Sequence, residues 1–136
     1  MKTVVLDTSA LIRLYIPDGP LPNGLEGVIE SCLNGETAAL VPELALVEAA
    51  QVILKKERAA LITSAEADEI LAALLELPLE RVRHFDLLLL AYECAINLNI
   101  TAYDAIFLAL AKSRNAALIT ADEALAKAAR EVLPKG

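Results

Sequence analysis

The run Val4-Val5-Leu6-Asp7-Thr8-Ser9-Ala10-Leu11-Ile12 constrains the fold more than any other stretch of the chain. Val4 to Leu6 is short, apolar and β-rich, and reads as a buried strand. An ionisable Asp7 follows at once, and Thr8 and Ser9 open an apolar pattern at helical spacing. A strand that hands over directly to a helix belongs to an open α/β sheet. Ligands bind such sheets in the crevice outside the carboxyl ends of the strands, where the next helix points its amino terminus. Asp7 stands at that edge.

The same alternation recurs along the chain. Ala38 to Val41, stopped by Pro42, and Ala117 to Ile119 are further short strands, and Leu79 to Phe85 contains a looser one. Helices are expected from Ser9 to Ile16, ended by the loop Pro17-Asp18-Gly19-Pro20 with Pro22, and from Leu25 to Leu33, closed by Asn34-Gly35. Others run from Glu43 to Arg58, from the capping box Thr63-Ser64-Ala65-Glu66 to Pro78, from Leu87 to Leu98 with Asp86 as cap, from Thr101 to Ala111, and from Ala124 to Val132. Strands separated by helices predict a mostly parallel sheet covered on both faces, with no strand expected after Val132. The length of 136 residues and the lack of repeats or linkers predict a single domain over residues 1–136.

Composition removes several function classes. Hydrophobic residues make up 57% of the chain, yet charges break every apolar stretch well short of the roughly 18 residues a membrane span needs. Met1-Lys2-Thr3 leaves too little chain before Asp7 for a signal peptide, so a cytoplasmic location is expected and no membrane association. Cys32 and Cys94 lack metal or redox spacing and read as small buried hydrophobes. His84 is the only histidine, which removes multi-histidine metal sites and histidine acid–base pairs. The net charge of −7 opposes non-specific nucleic-acid binding. That objection weakens if carboxylates hold cations, because the metal's own charge then faces an approaching phosphate.

Four carboxylates share an anomaly. Asp7 and Asp122 follow strands, whereas Glu48 and Asp104 interrupt otherwise apolar helical stretches; Glu48 is the only charge between Glu43 and Lys55 and shares the face of Leu44, Val47 and Val52. Asp7 and Asp122 could each be a helix N-cap, and Asp104 could be the third residue of a box with Thr101. Glu48, mid-helix, has no ordinary local role. Burying such groups without partners costs several kcal/mol, and basic residues near them are few. A hard divalent cation with oxygen ligands, Mg²⁺ or Mn²⁺, would compensate all four together.

The segments Val5-Leu6-Asp7-Thr8-Ser9-Ala10-Leu11, Pro42-Glu43-Leu44 through Glu48, Thr101-Ala102-Tyr103-Asp104-Ala105 with Leu108-Ala109-Leu110-Ala111, and Leu118-Ile119-Thr120-Ala121-Asp122 resemble PIN-domain ribonucleases, particularly VapC-type toxins. The likeness spans almost the whole chain. It implies a three-layer α/β/α sandwich around a mostly parallel sheet of four to five strands. It further implies Mg²⁺- or Mn²⁺-dependent cleavage of RNA with one or two ions bound, a homodimer, and inhibition by a cognate VapB-like antitoxin. Asp7, Glu48, Asp104 and Asp122 match the family's acidic quartet as catalytic and metal-binding residues, with Thr8, Ser9 and Thr120 as supporting hydroxyls. Many relatives continue into a last strand, and Glu123 directly follows the last acid of the set.

The matching chemistry is phosphodiester hydrolysis in which held cations acidify a water and stabilise charge on the phosphate. Arg13, Lys55, Lys56, Arg58 and Arg114 are candidate contacts to RNA or to a protein partner. A receiver-type signalling domain would need a lysine after the strand ending at Val41 or at Ile119, and neither has one. A haloacid-type phosphatase would need an aspartate where Ser9 stands. A non-catalytic PIN-fold binding module remains the alternative to the nuclease.

Overall fold

A computed structural model describes residues 2–133. Its core is β1 (Lys2–Leu6), whose Val4, Val5 and Leu6 are all buried, as expected of a strand covered on both faces. From β1 the chain runs through α1 (Thr8–Arg13) and α2 (Leu25–Leu33) to β2 (Thr37–Pro42), and then through α3 (Glu43–Arg58) and α4 (Ser64–Glu76) to β3 (Leu79–Val82). A 3₁₀ turn at Phe85–Leu87 leads into α5 (Leu88–Leu98), followed by α6 (Ala102–Ser113), β4 (Ala117–Ile119) and α7 (Glu123–Val132).

The four strands lie in the order β3-β2-β1-β4 and every pairing is parallel, with Val5 opposite both Leu40 and Leu118. The sheet is the centre of a three-layer α/β/α sandwich and realises the lower of the two expected strand counts among the described residues. The order reverses between β1 and β4, because the chain leaves β1 toward β2 on one side and returns to pair β4 on the other. Crevices in open parallel sheets form at such a reversal.

Local chemistry accounts for the element ends. Gly35, at φ +75°, closes α2: its amide donates to the Cys32 carbonyl at 3.1 Å, and that of Glu36 donates to Ser31 at 3.0 Å. Thr63 and Glu66 form the reciprocal capping box that opens α4. Helix α6 is buried over seven consecutive residues, Ala105 to Ala111, and packs on β1, β2 and β4; its alanines let it approach the sheet closely. Residues 134–136, after α7, lie outside the described residues.

Three expectations are corrected. Asp86 caps no helix, because the chain first makes the 3₁₀ turn; its exposed carboxylate instead lies 4.0 Å from Arg83. Val47 is 68% exposed, so the face of α3 that carries Glu48 is turned away from it. Thr101 accepts the Asp104 amide at 3.1 Å, but no reciprocal bond from the Asp104 carboxylate to the Thr101 amide completes a box, leaving that carboxylate available. His84 is half-buried directly before the 3₁₀ turn, and Cys94 is buried while Cys32 is half-buried, both as free thiols.

Leu40 is fully buried in the central part of the sheet. Leu40→Ala is expected to lower unfolding stability by about 2–5 kcal/mol, through lost apolar transfer and a cavity that the sheet cannot close. Urea denaturation measures the loss.

Candidate active site

Asp7 extends directly from β1, and its amide donates to the Ile119 carbonyl of β4 at 3.2 Å, which ties the first residue after one strand to the end of its neighbour. The carboxylate is 4% exposed and accepts three hydrogen bonds. Oδ1 accepts from Ser9 Oγ at 2.8 Å and from the Ala10 amide at 2.9 Å, while Oδ2 accepts from Thr120 Oγ1 at 2.6 Å. Both hydroxyl protons are thereby committed. The hydroxyls accept in turn from backbone: Ser9 from Ala121 N–H at 2.9 Å and Thr120 from Asp122 N–H at 2.9 Å. The 3.2 Å approach of Ser9 to Thr120 thus has no proton of its own to share. Asp7 is held as an acceptor, with lone-pair capacity left on Oδ2.

Asp7 also caps α1, and Asp122 caps α7 by accepting from Ala124 N–H at 2.9 Å and Leu125 N–H at 3.3 Å. The capping and site readings of these two acids therefore hold together. Glu48, half-buried in the middle of α3, accepts from Thr8 Oγ1 at 2.8 Å through Oε1, leaving Oε2 without a protein partner. Asp104 is half-buried in the first turn of α6. All four acids line one cleft of about 320 Å³, together with Thr8, Ser9, Ile12, Arg13, Asp18, Val52 and Phe107.

The electrostatics agree with this convergence. Burial pushes the Asp7 carboxyl above its usual range, opposed by the bonds from Thr120, Ala10 and Ser9 and reinforced by the charge of Asp122. Burial raises Glu48 as well, against the Thr8 bond, with repulsion from Asp104 and Asp7 adding to it. Asp104 is raised by burial and then by Asp122, partly offset by Thr101. Each of these three acids therefore feels the charge of at least one other member of the quartet. Among the described residues the ion pairs join Lys56 to Asp18 and Arg83 to Asp86, and neither touches the quartet. Among the described residues no three such side chains are grouped closely enough to hold one ion directly.

The supporting hydroxyls divide their work, Thr8 serving Glu48 while Ser9 and Thr120 serve Asp7. Of the basic candidates, Arg13 lines the cleft and Lys56 reaches its rim through Asp18. Lys55 and Arg58 are exposed at the end of α3, Arg114 is exposed after α6, and none of these three lines the cleft. Glu123 is exposed in the first turn of α7, outside the cleft lining. Asp18 was not singled out in the sequence, where a Pro/Gly-rich loop gives an acid no periodic context.

A parallel α/β/α sandwich with an acidic cleft at the point where strand order reverses is a scaffold for binding at the sheet's carboxyl edge. The family model described as PIN domain matches residues 4–131, and the chain belongs to that family, whose members are generally nucleases. Among solved structures the chain is similar to one titled "Crystal Structure of PAE2754 from Pyrobaculum aerophilum". The TM-score is 0.67 at 20% identity, covering 93% of this chain and 84% of that one, which shows a shared fold. No curated protein matches the chain.

With raised carboxyl pKa values, the metal-free folded chain binds protons that the unfolded chain releases. The stability this gives is full below the ordinary carboxylate range and is lost as pH rises through the raised values. The double variant Asp7→Asn/Glu48→Gln should therefore gain Tm over the wild type in EDTA as pH climbs from about 4 to about 7. Thermal unfolding across that range tests it, and a constant difference would mean that both acids ionise as freely folded as unfolded.

Proposed function

We propose that the chain is a Mg²⁺- or Mn²⁺-dependent endoribonuclease, the VapC-type toxin of a toxin–antitoxin pair. The observation that carries the reading is Asp7, buried beside three other acids of one cleft, bonded only as an acceptor and, among the described residues, paired with no base. Such a donor set fits a hard cation, since every available ligand is oxygen and the acids repel one another without one. Asp7, Glu48, Asp104 and Asp122 would hold one or two ions, some through water, as suits Mg²⁺, which keeps several of its waters. A bound ion supplies a water acidified to a nucleophile and positive charge opposite the scissile phosphate.

The remaining work falls to the chain itself. Ser9 and Thr120 fix the Asp7 carboxylate in one orientation, and Thr8 does the same for Glu48, so that ligand geometry is set before any ion or RNA arrives. Ile12, Val52 and Phe107 give the cleft an apolar wall that limits water and strengthens the charges inside. A non-catalytic binding module is the second reading, favoured by the finding that among the described residues no three acids are grouped closely enough to hold one ion directly.

The protein acts in the cytoplasm on RNA and is held inactive there by a VapB-like antitoxin. It pairs with a second copy of itself through α5 and the 3₁₀ turn before it, where Phe85 of the turn and Leu89, Tyr92 and Ile96 of the helix form a stripe with each residue at least 65% exposed. Glu93 is the only charged residue of α5, so the helix lacks the cations of a membrane-surface helix, and a two-fold axis would pair the stripe with itself.

Purified protein is expected to cut single-stranded RNA with Mg²⁺ or Mn²⁺ and to stop in excess EDTA. Asp7→Asn should abolish cutting, by about a hundredfold or more, while the circular dichroism spectrum stays native. Cutting that persists in EDTA, or in Asp7→Asn, would rule the mechanism out. For the homodimer, Leu89→Glu should convert a dimer to a monomer by light scattering, and a monomeric wild type would refute the pairing.

A further inference from the structure

The loop between α1 and α2 lies against the cleft. Pro17, Pro20 and Pro22 stiffen it, and two polar contacts pin it. Asp18 Oδ2 meets Lys56 Nζ at 2.8 Å, with the lysine side chain 19% exposed and the aspartate 51%. Arg13 Nη1 donates to the Pro20 carbonyl at 2.7 Å. The guanidinium lies over Gly19, where a β-carbon would sit 2.8 Å from Nη1, so a residue without a side chain lets it pack on the loop backbone.

These contacts engage one cation that lines the cleft and a second that meets a cleft-lining acid. Arg13 lines the cleft, and Lys56 stands two turns along α3 from Glu48 on the same face. Asp18, which also lines the cleft, neutralises Lys56 and adds a fifth acid to a cavity that already holds four. A nucleic-acid phosphate approaching the cleft thus meets an acidic opening whose cations are turned to the loop. A carboxylate on a lysine has the charge sign and acceptor geometry of a backbone phosphate oxygen on the same group.

We propose that Lys56, with Arg13 held by the same loop, forms a phosphate-binding subsite at the cleft mouth, and that Asp18 occupies the lysine as an internal stand-in until a nucleic-acid phosphate displaces it. The loop then acts as a self-inhibitory strap. It lowers affinity for short or weakly held strands and moves when a longer strand supplies enough phosphates to compete. The ligand class rests on the nuclease reading, whereas the masking of Lys56 by Asp18 stands on the geometry alone.

The test measures binding of a fluorescent single-stranded RNA oligonucleotide by anisotropy at low salt, with Mg²⁺ present and on the Asp7→Asn background so that no strand is cut. Asp18→Ala should tighten binding roughly three- to fivefold, the range of one partly exposed ion pair, and the gain should shrink as salt rises. Glu131→Ala, which removes an exposed acid from the far end of α7, should change it much less. Lys56→Gln should weaken binding and erase the gain from Asp18→Ala, as a double-mutant cycle reads directly. Equal gains from Asp18→Ala and Glu131→Ala, a gain that survives Lys56→Gln, or no binding by any variant would overturn the proposal. Coupling between Asp18 and Lys56 on that background, with a wild-type protein that cuts no RNA in Mg²⁺ or Mn²⁺, would sink the nuclease reading and leave the masked subsite intact. Cutting without that coupling would do the reverse.

Discussion

The arrangement of the site depends on keeping a buried carboxylate at the end of the central strand. Burial disfavours the charged form of Asp7, and Asp122 nearby adds repulsion. Three donors hold the charge in place: a hydroxyl and an amide from the first turn of α1, and a hydroxyl from the end of β4. The two hydroxyls are themselves fixed by the backbone amides of Ala121 and Asp122. The β1–β4 pairing, the start of α1 and the start of α7 thus form one hydrogen-bonded unit with Asp7 at its centre. Its bonds oppose the rise in pKa without cancelling it, so the site retains a cost that binding of positive charge would relieve.

The helices serve this unit in different ways. Helix α6, buried along its length, crosses the sheet and brings Asp104 to the cleft in its first turn, before the buried alanines and leucines begin. Helix α3 carries Glu48 one and a half turns from its start, far enough from the helix terminus that no backbone amide satisfies the carboxylate and a distant hydroxyl, Thr8, must do so. The acids that cap helices and the acids that do not are therefore complementary. Asp7 and Asp122 are anchored by local backbone donors, whereas Glu48 and Asp104 keep more of their capacity free for whatever enters the cleft.

Membership of the PIN-domain family and the parallel sandwich are consistent with nuclease chemistry, but the cleft also has features particular to this chain. Asp18 and Lys56 bring a second set of charges to its mouth, opposite in arrangement to the quartet: there an acid is paired with a base, whereas among the described residues no acid inside is.

Much of the fold was legible in the sequence, because periodicity and end signals are local. The short apolar runs ending at Leu6, Val41 and Ile119, the Gly35 stop and the Thr63 box all act within a few residues of themselves. Where a non-local preference intervened, local reading failed: Asp86 has the chemistry of a cap, yet the chain enters α5 through a 3₁₀ turn that leaves it exposed. The quartet was legible for a related reason, since a lone acid in an apolar stretch is anomalous wherever the chain goes. What sequence alone could not decide was which hydroxyl serves which acid, how far apart the acids stand, and that a loop aspartate faces α3. Thr8 reaches Glu48 across 40 residues and Thr120 reaches Asp7 across 113, and such pairings exist only once the sheet order has brought the strand ends together.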